Sequence, residues 1–90
     1  MITYRLDCTR MIGRYAAHEY LQKALPFPPY YGRNLDALYD ALSELPDCTV
    51  ILVCPHALSW IGRYGERLLR VFRTAAKDRP FTLIETSFSE

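Results

Sequence analysis

The sequence predicts a small single α/β domain over residues 1–90, built as a three-stranded parallel β-sheet packed with three to four α-helices. Three observations predict it. Strand-like segments alternate with helical ones, Cys48 to Cys54 is a continuous apolar run rich in β-branched residues, and the connections are long enough to cross over between parallel strands. Leu, Ile, Val and Phe make up 24 of the 90 residues, above the roughly 20 % below which disorder sets in. A net charge of +1 supplies no repulsion to hold the chain open, so a packed core is expected.

Ile2, Tyr4 and Leu6 alternate with Thr3 and Arg5, a period of two that suits a short strand ended by Asp7. Thr9 is placed to cap the next element. From Met11 to Leu25, Ile12, Tyr15, Ala16, Tyr20, Leu21 and Ala24 recur at steps of three and four, an amphipathic helix that tolerates Gly13 and stops at Pro26. The segment Pro26-Phe27-Pro28-Pro29-Tyr30-Tyr31-Gly32 is a stiff aromatic loop, because each proline removes a donor and extends its predecessor.

Asn34, a good N-cap, opens a second helix that runs to about Glu44. Leu35, Leu38 and Leu42 share its inward side, Asp36 and Asp40 face water, and Tyr39 lies between, expected to point outward with Asp40. The run from Cys48 reads as a strand covered on both faces and ended by Pro55. A short turn over His56 to Trp60 precedes a long helix from about Gly62 to Asp78. Leu68, Leu69, Phe72, Ala75 and Ala76 form its buried stripe, with Arg63, Arg67, Arg70, Arg73 and Lys77 opposite. Phe81 to Glu85 is the last strand.

Composition narrows the function. A balanced charge argues against a generic nucleic-acid binder, which needs excess Lys and Arg to displace counterions from phosphate. Cys8, Cys48 and Cys54 are spaced by 40 and 6 residues, match no zinc signature and read as reduced, small apolar residues at strand ends. No stretch approaches the ~20 apolar residues of a membrane span, and no basic segment with an apolar run after it opens the chain. A soluble, cytoplasmic protein is the expectation, without metal or cofactor.

The inventory for catalysis is poor. His18 and His56 lie in no nucleophile, metal or phosphate motif and read as surface or packing residues. Cys54 and His56, two residues apart on an extended segment, do not establish the contact that a thiol and its base require. Asp36 and Asp40 form a carboxylate pair without further oxygen ligands nearby in sequence. Their setting is more informative. Between Asn34 and Asp47 stand four acids and no base, entered through Tyr30-Tyr31. Aromatics beside carboxylates suit a protein-binding surface, since Tyr supplies contact area at low entropic cost and charge supplies orientation.

The run Tyr30-Tyr31-Gly32-Arg33-Asn34-Leu35-Asp36-Ala37-Leu38-Tyr39-Asp40 closely resembles the barstar family of bacterial intracellular ribonuclease inhibitors. The resemblance covers most of the chain, including a late helix carrying Val71-Phe72-Arg73 before the last strand. It implies an α/β fold with a parallel three-stranded sheet, no enzymatic activity, and a surface that plugs a nuclease active site. Carried across position by position, that surface falls on Tyr30, Gly32, Asn34, Asp36, Tyr39 and Asp40, with Asp40 at the position that enters the nuclease's phosphate-binding pocket. The chain departs from the family pattern at Arg33, Tyr39 and Thr74, where the family has Glu, Trp and Glu; Arg33 and Thr74 stand at the periphery. With a charge of +1 in place of strong acidity, the implied partner is a ribonuclease or nuclease toxin other than barnase. The free protein is expected to be a monomer.

A competing reading is a small RNA-binding or protein-adaptor module. It would use the stripe Arg63, Arg67, Arg70, Arg73 and Lys77, with Tyr30 and Tyr31 for stacking. Glu66 and Asp78 dilute that stripe, and a solvated outer helix face is the commoner explanation for it.

Overall fold

The alternation of Ile2, Tyr4 and Leu6 with Thr3 and Arg5 becomes strand β1 (Ile2–Asp7) in the computed structural model, which describes residues 2–78 and 81–87. The apolar run forms β2 (Cys48–Val53) and the last strand is β3 (Thr82–Thr86). All pairing is parallel in the order β1-β2-β3, so β2 is central. In register, Tyr4 lies beside Val50, Leu6 beside Leu52, and Val50 beside Leu83.

Among the described residues three α-helices accompany the sheet: α1 (Arg14–Ala24), α2 (Leu35–Ser43) and α3 (Gly62–Asp78). Short 3₁₀ segments at Cys8–Arg10 and Pro55–Ile61 lead from β1 toward α1 and from β2 toward α3. Leu6, Cys48, Val50 and Leu52 from one face of the sheet join Leu21, Leu38, Leu42, Leu68 and Phe72 from the helices in one buried core. The expected double cover of β2 forms only at its end, where Val53 is buried. Thr3, Arg5, Thr82 and Ile84 on the opposite face are exposed, and Thr49 and Ile51 are half-buried. Ile51 is shielded by its strand neighbours Arg5 and Ile84, so a β-branched run is accommodated without a second helical layer.

Two further expectations need correction. The Asp7 carboxylate, not Thr9, caps the turn after β1, accepting from the Thr9 N–H at 3.0 Å and the Thr9 hydroxyl at 2.6 Å. Helix α1 starts at Arg14, after Gly13 in extended conformation, and buries Ala17, His18 and Leu21. Ile12 and Tyr15, expected on the buried side, are 76 % and 65 % exposed. The Tyr20 hydroxyl accepts from the Asp7 N–H at 2.9 Å, tying α1 to the end of β1 in the orientation that turns His18 inward.

The cysteines are free. Burial, with Asp7 second, pushes the Cys8 thiol up to about 12, and burial likewise raises Cys48. Both thiols are therefore inert packing groups. Among the described residues, no helix is long and apolar enough to cross a membrane.

Candidate functional site

The loop after α1 is held from below by that helix. Gln22 Nε2 donates to the carbonyls of Pro28 and Pro29, each at 3.2 Å, satisfying acceptors in a segment whose prolines supply few donors. Arg33, in the left-handed region at φ 57°, returns its guanidinium to α1. It donates to Gln22 Oε1 at 2.9 and 3.1 Å and lies 5.4 Å from the Tyr15 ring centroid. Arg33, expected at the periphery of the site, is exposed there and also staples the loop to the helix.

Beneath it, Tyr31 is buried while Tyr30 is 85 % exposed, so only Tyr30 is available for stacking on a partner. The Tyr31 hydroxyl pairs with His18 Nδ1 at 2.6 Å, and His18 Nε2 pairs with the Tyr64 hydroxyl at 2.5 Å. A neutral imidazole fits, one nitrogen donating and the other accepting. Burial, then the neighbouring guanidinium groups of Arg14 and Arg33, holds the His18 pKa below its ordinary value. Burial, with Tyr64 next, raises Tyr31. One side chain thereby joins α1, the loop and α3, using partners 13 and 46 residues away.

Asn34 begins α2 as expected, its side-chain oxygen accepting from the Ala37 N–H at 2.8 Å. Asn34→Ala should lower stability by about 1 kcal/mol, read as a shift of the urea midpoint. Leu38 and Leu42 are fully buried, and that anchoring fixes the rotation of the helix so that Asp36 and Asp40 stay exposed. Gly32 is exposed just before it, and a β-carbon there would sit 3.1 Å from Ala37 Cβ, leaving little room for a larger residue.

The two aspartates look into different clefts. Asp40 lines one with Tyr30, Gly32, Ala37 and Glu44, and an adjoining one with Tyr39, Ser43, Glu44 and Asp78. Asp36 lines a cleft of about 340 Å³ with Tyr39, Arg67, Arg70 and Thr74, and a smaller one with Arg14, Asn34, Tyr64 and Arg67. Tyr39 forms the ridge between the acidic and basic sides. It is half-buried, packs against the core, and donates its hydroxyl proton to Asp78 Oδ2 at 2.7 Å. This corrects the expectation of an outward-pointing ring. Tyr39→Ala would cost stability as well as contact area and would release Asp78.

Glu44 and Asp78 are members of the acidic side that sequence reasoning did not single out. Glu44 is one turn beyond Asp40 and could have been found on the helical wheel. Asp78 lies 39 residues from Tyr39 and has no local signal. The basic stripe is exposed at all five positions, but Arg73 is engaged by Glu85 through two bonds of 2.7 and 2.8 Å, which holds the Glu85 pKa low. Cys54 donates its thiol to the Ser87 carbonyl at 3.6 Å, and His56 packs edge-on to Trp60. Each thus has a separate packing role.

Comparison with known families matches residues 1–84 to the family described as Barstar (barnase inhibitor). A protein of Bacillus subtilis (strain 168) named "Putative ribonuclease inhibitor YrdF" is 38 % identical over 64 residues, covering 68 % of this chain and 70 % of that protein. With a parallel three-stranded sheet backing the capped helix and its tethered loop, and a family match that includes both, the chain belongs to the barstar family.

Proposed function

We propose that this protein inhibits a ribonuclease or nuclease toxin made by the same cell, acting in the cytoplasm as a single-domain monomer that blocks the enzyme's active site without any catalysis of its own. The observation that carries the reading is the Asp40 carboxylate, exposed on a helix whose other face is locked in the core, with Glu44 and Asp78 beside it. A nuclease cleft gathers Arg and Lys around the substrate phosphate. A carboxylate presented there accepts the same charge-assisted hydrogen bonds, and a rigid support keeps the ordering cost low.

Tyr30 and Gly32 flank Asp40 on the loop side, Asn34 sets the start of the helix, and Asp36 and Tyr39 extend the contact toward α3. The partner we infer is a nuclease other than barnase. The net charge of +1 gives little long-range steering toward a strongly basic enzyme, and Thr74 offers no charge beside Asp36.

Asp40→Ala should weaken inhibition of the cognate ribonuclease by about 2 kcal/mol or more, as expected for a hot spot. Its unfolding midpoint should stay within about 0.5 kcal/mol of the native protein because the side chain is exposed. Coexpression with ribonucleases made by the same cell, copurification and a nuclease assay provide the measurement. Full inhibition by the Asp40→Ala protein would overturn the mechanism.

A further inference from the structure

The cleft on the α3 side of Tyr39 is cationic where the Asp40 side is acidic. Arg67 lines both Asp36 clefts, with Arg70 in one and Arg14 in the other. The Arg14 guanidinium is stacked 4.7 Å from the Tyr64 ring centroid. Among the described residues the salt bridges are Lys23–Glu19 and Arg73–Glu85, so Asp36 shares a cleft with Arg67 and Arg70 without pairing with either. Two exposed guanidinium forks therefore stand beside the acidic surface with their donors available. Tyr39, lining both sides, makes the face continuous.

We propose that the nuclease-binding face is a two-sign interface, in which Arg67 and Arg70 receive carboxylates at the rim of the same cleft whose cationic floor receives Asp40. This rests on the inhibitor reading above and adds the chemistry of the partner: a ribonuclease with acidic side chains beside its active site. Arginine suits the role because its planar fork meets a carboxylate through two parallel bonds. The pair also rejects partners. Lysines or arginines at the rim would be forced against like charges, so the same two residues that attract one nuclease exclude a uniformly basic one. Near-neutrality of the whole chain then reflects a charge pattern matched at contact range, since fields from opposite charges cancel beyond the ~8 Å screening length of physiological salt.

The test measures inhibition of two probes, barnase and a barnase carrying two basic-to-glutamate substitutions at its cleft rim outside the catalytic residues. The native chain should inhibit the acid-rimmed enzyme at least about tenfold better, and the Arg67→Glu/Arg70→Glu double variant should reverse that order. Inhibition of both enzymes with a ratio unchanged by the double substitution overturns the two-sign interface and leaves the inhibitor reading standing. Inhibition of neither enzyme by either protein overturns the two-sign interface, because the acid-rimmed probe carries the charges it requires, while the inhibitor reading stands or falls on the coexpression and Asp40→Ala assay with ribonucleases made by the same cell. Retention on single-stranded RNA at low salt that the double substitution abolishes, with both inhibition constants unmoved, overturns it in favour of direct RNA contact.

Discussion

Gly65→Ala is expected to destabilise the protein by about 2 kcal/mol or more, although glycine to alanine inside a helix ordinarily gains about 1 kcal/mol. Gly65 is buried in the first turns of α3, where that helix crosses the preceding 3₁₀ segment. A β-carbon would lie 1.8 Å from the Leu58 carbonyl oxygen, 2.7 Å from the Leu58 carbonyl carbon and 2.7 Å from Ile61 Cγ1. The isoleucine could rotate away, but the backbone carbonyl cannot. Relief requires sliding α3 off a segment whose Ala57 and Leu58 are themselves in the core, and overpacking of this kind costs about 1–3 kcal/mol and sometimes more. The consequence reaches the proposed binding face, because α3 also carries Tyr64, Arg67, Arg70 and Asp78. A urea midpoint equal to that of the native protein would show that the crossing is looser than these distances require.

What could be read from the sequence depended on whether a residue's role is set by near neighbours. Asn34 as a cap, Pro26 as a stop and the leucines of α2 all act within one or two helical turns, and each occupies its expected place. The apolar run of β2 announced a strand of a parallel sheet for the same reason. Its open second face was not legible, because cover over Thr49 and Ile51 depends on which elements arrive from elsewhere. In α1 the apolar residues surround most of the wheel, so periodicity alone did not distinguish the Ala17, His18 and Leu21 side from that of Ile12 and Tyr15. The site divides likewise. Burial of Leu38 and Leu42 puts Asp36 and Asp40 on the exposed face, whereas the Tyr39–Asp78 and Arg33–Gln22 bonds join side chains 39 and 11 residues apart. In the sequence Arg33 reads as a charge reversal at an interface rim, and its observed bonds add a local task in holding the loop.

His18→Phe is expected to remove about 2–5 kcal/mol of stability and, with it, a pH dependence that the native protein should show. Phenylalanine fills much of the same space but leaves the buried Tyr31 hydroxyl and the half-buried Tyr64 hydroxyl without their partner, and an unsatisfied buried polar group costs about 1–3 kcal/mol. In the native protein, burial and the positive charges of Arg14 and Arg33 disfavour the imidazolium. The unfolded chain has no such restraint and takes up a proton near pH 6.5. Stability from this group is therefore complete above about pH 6.5, declines as the pH falls toward the lowered native value, and levels off below it. Glu85, held low by Arg73, contributes a further loss in more acid solution, below the ordinary range of a glutamate. Urea unfolding at pH 7.5 and 5.5 separates the two: the native midpoint should fall between these values, and that of His18→Phe should hardly move. An equal fall in both proteins would assign the dependence to other groups. Because Tyr31 belongs to the loop that presents Tyr30 and Gly32, the substitution should also speed amide exchange through residues 30–34 and weaken inhibition, while Asp40 remains chemically untouched. Affinity and acid stability would then share one buried imidazole as their common support.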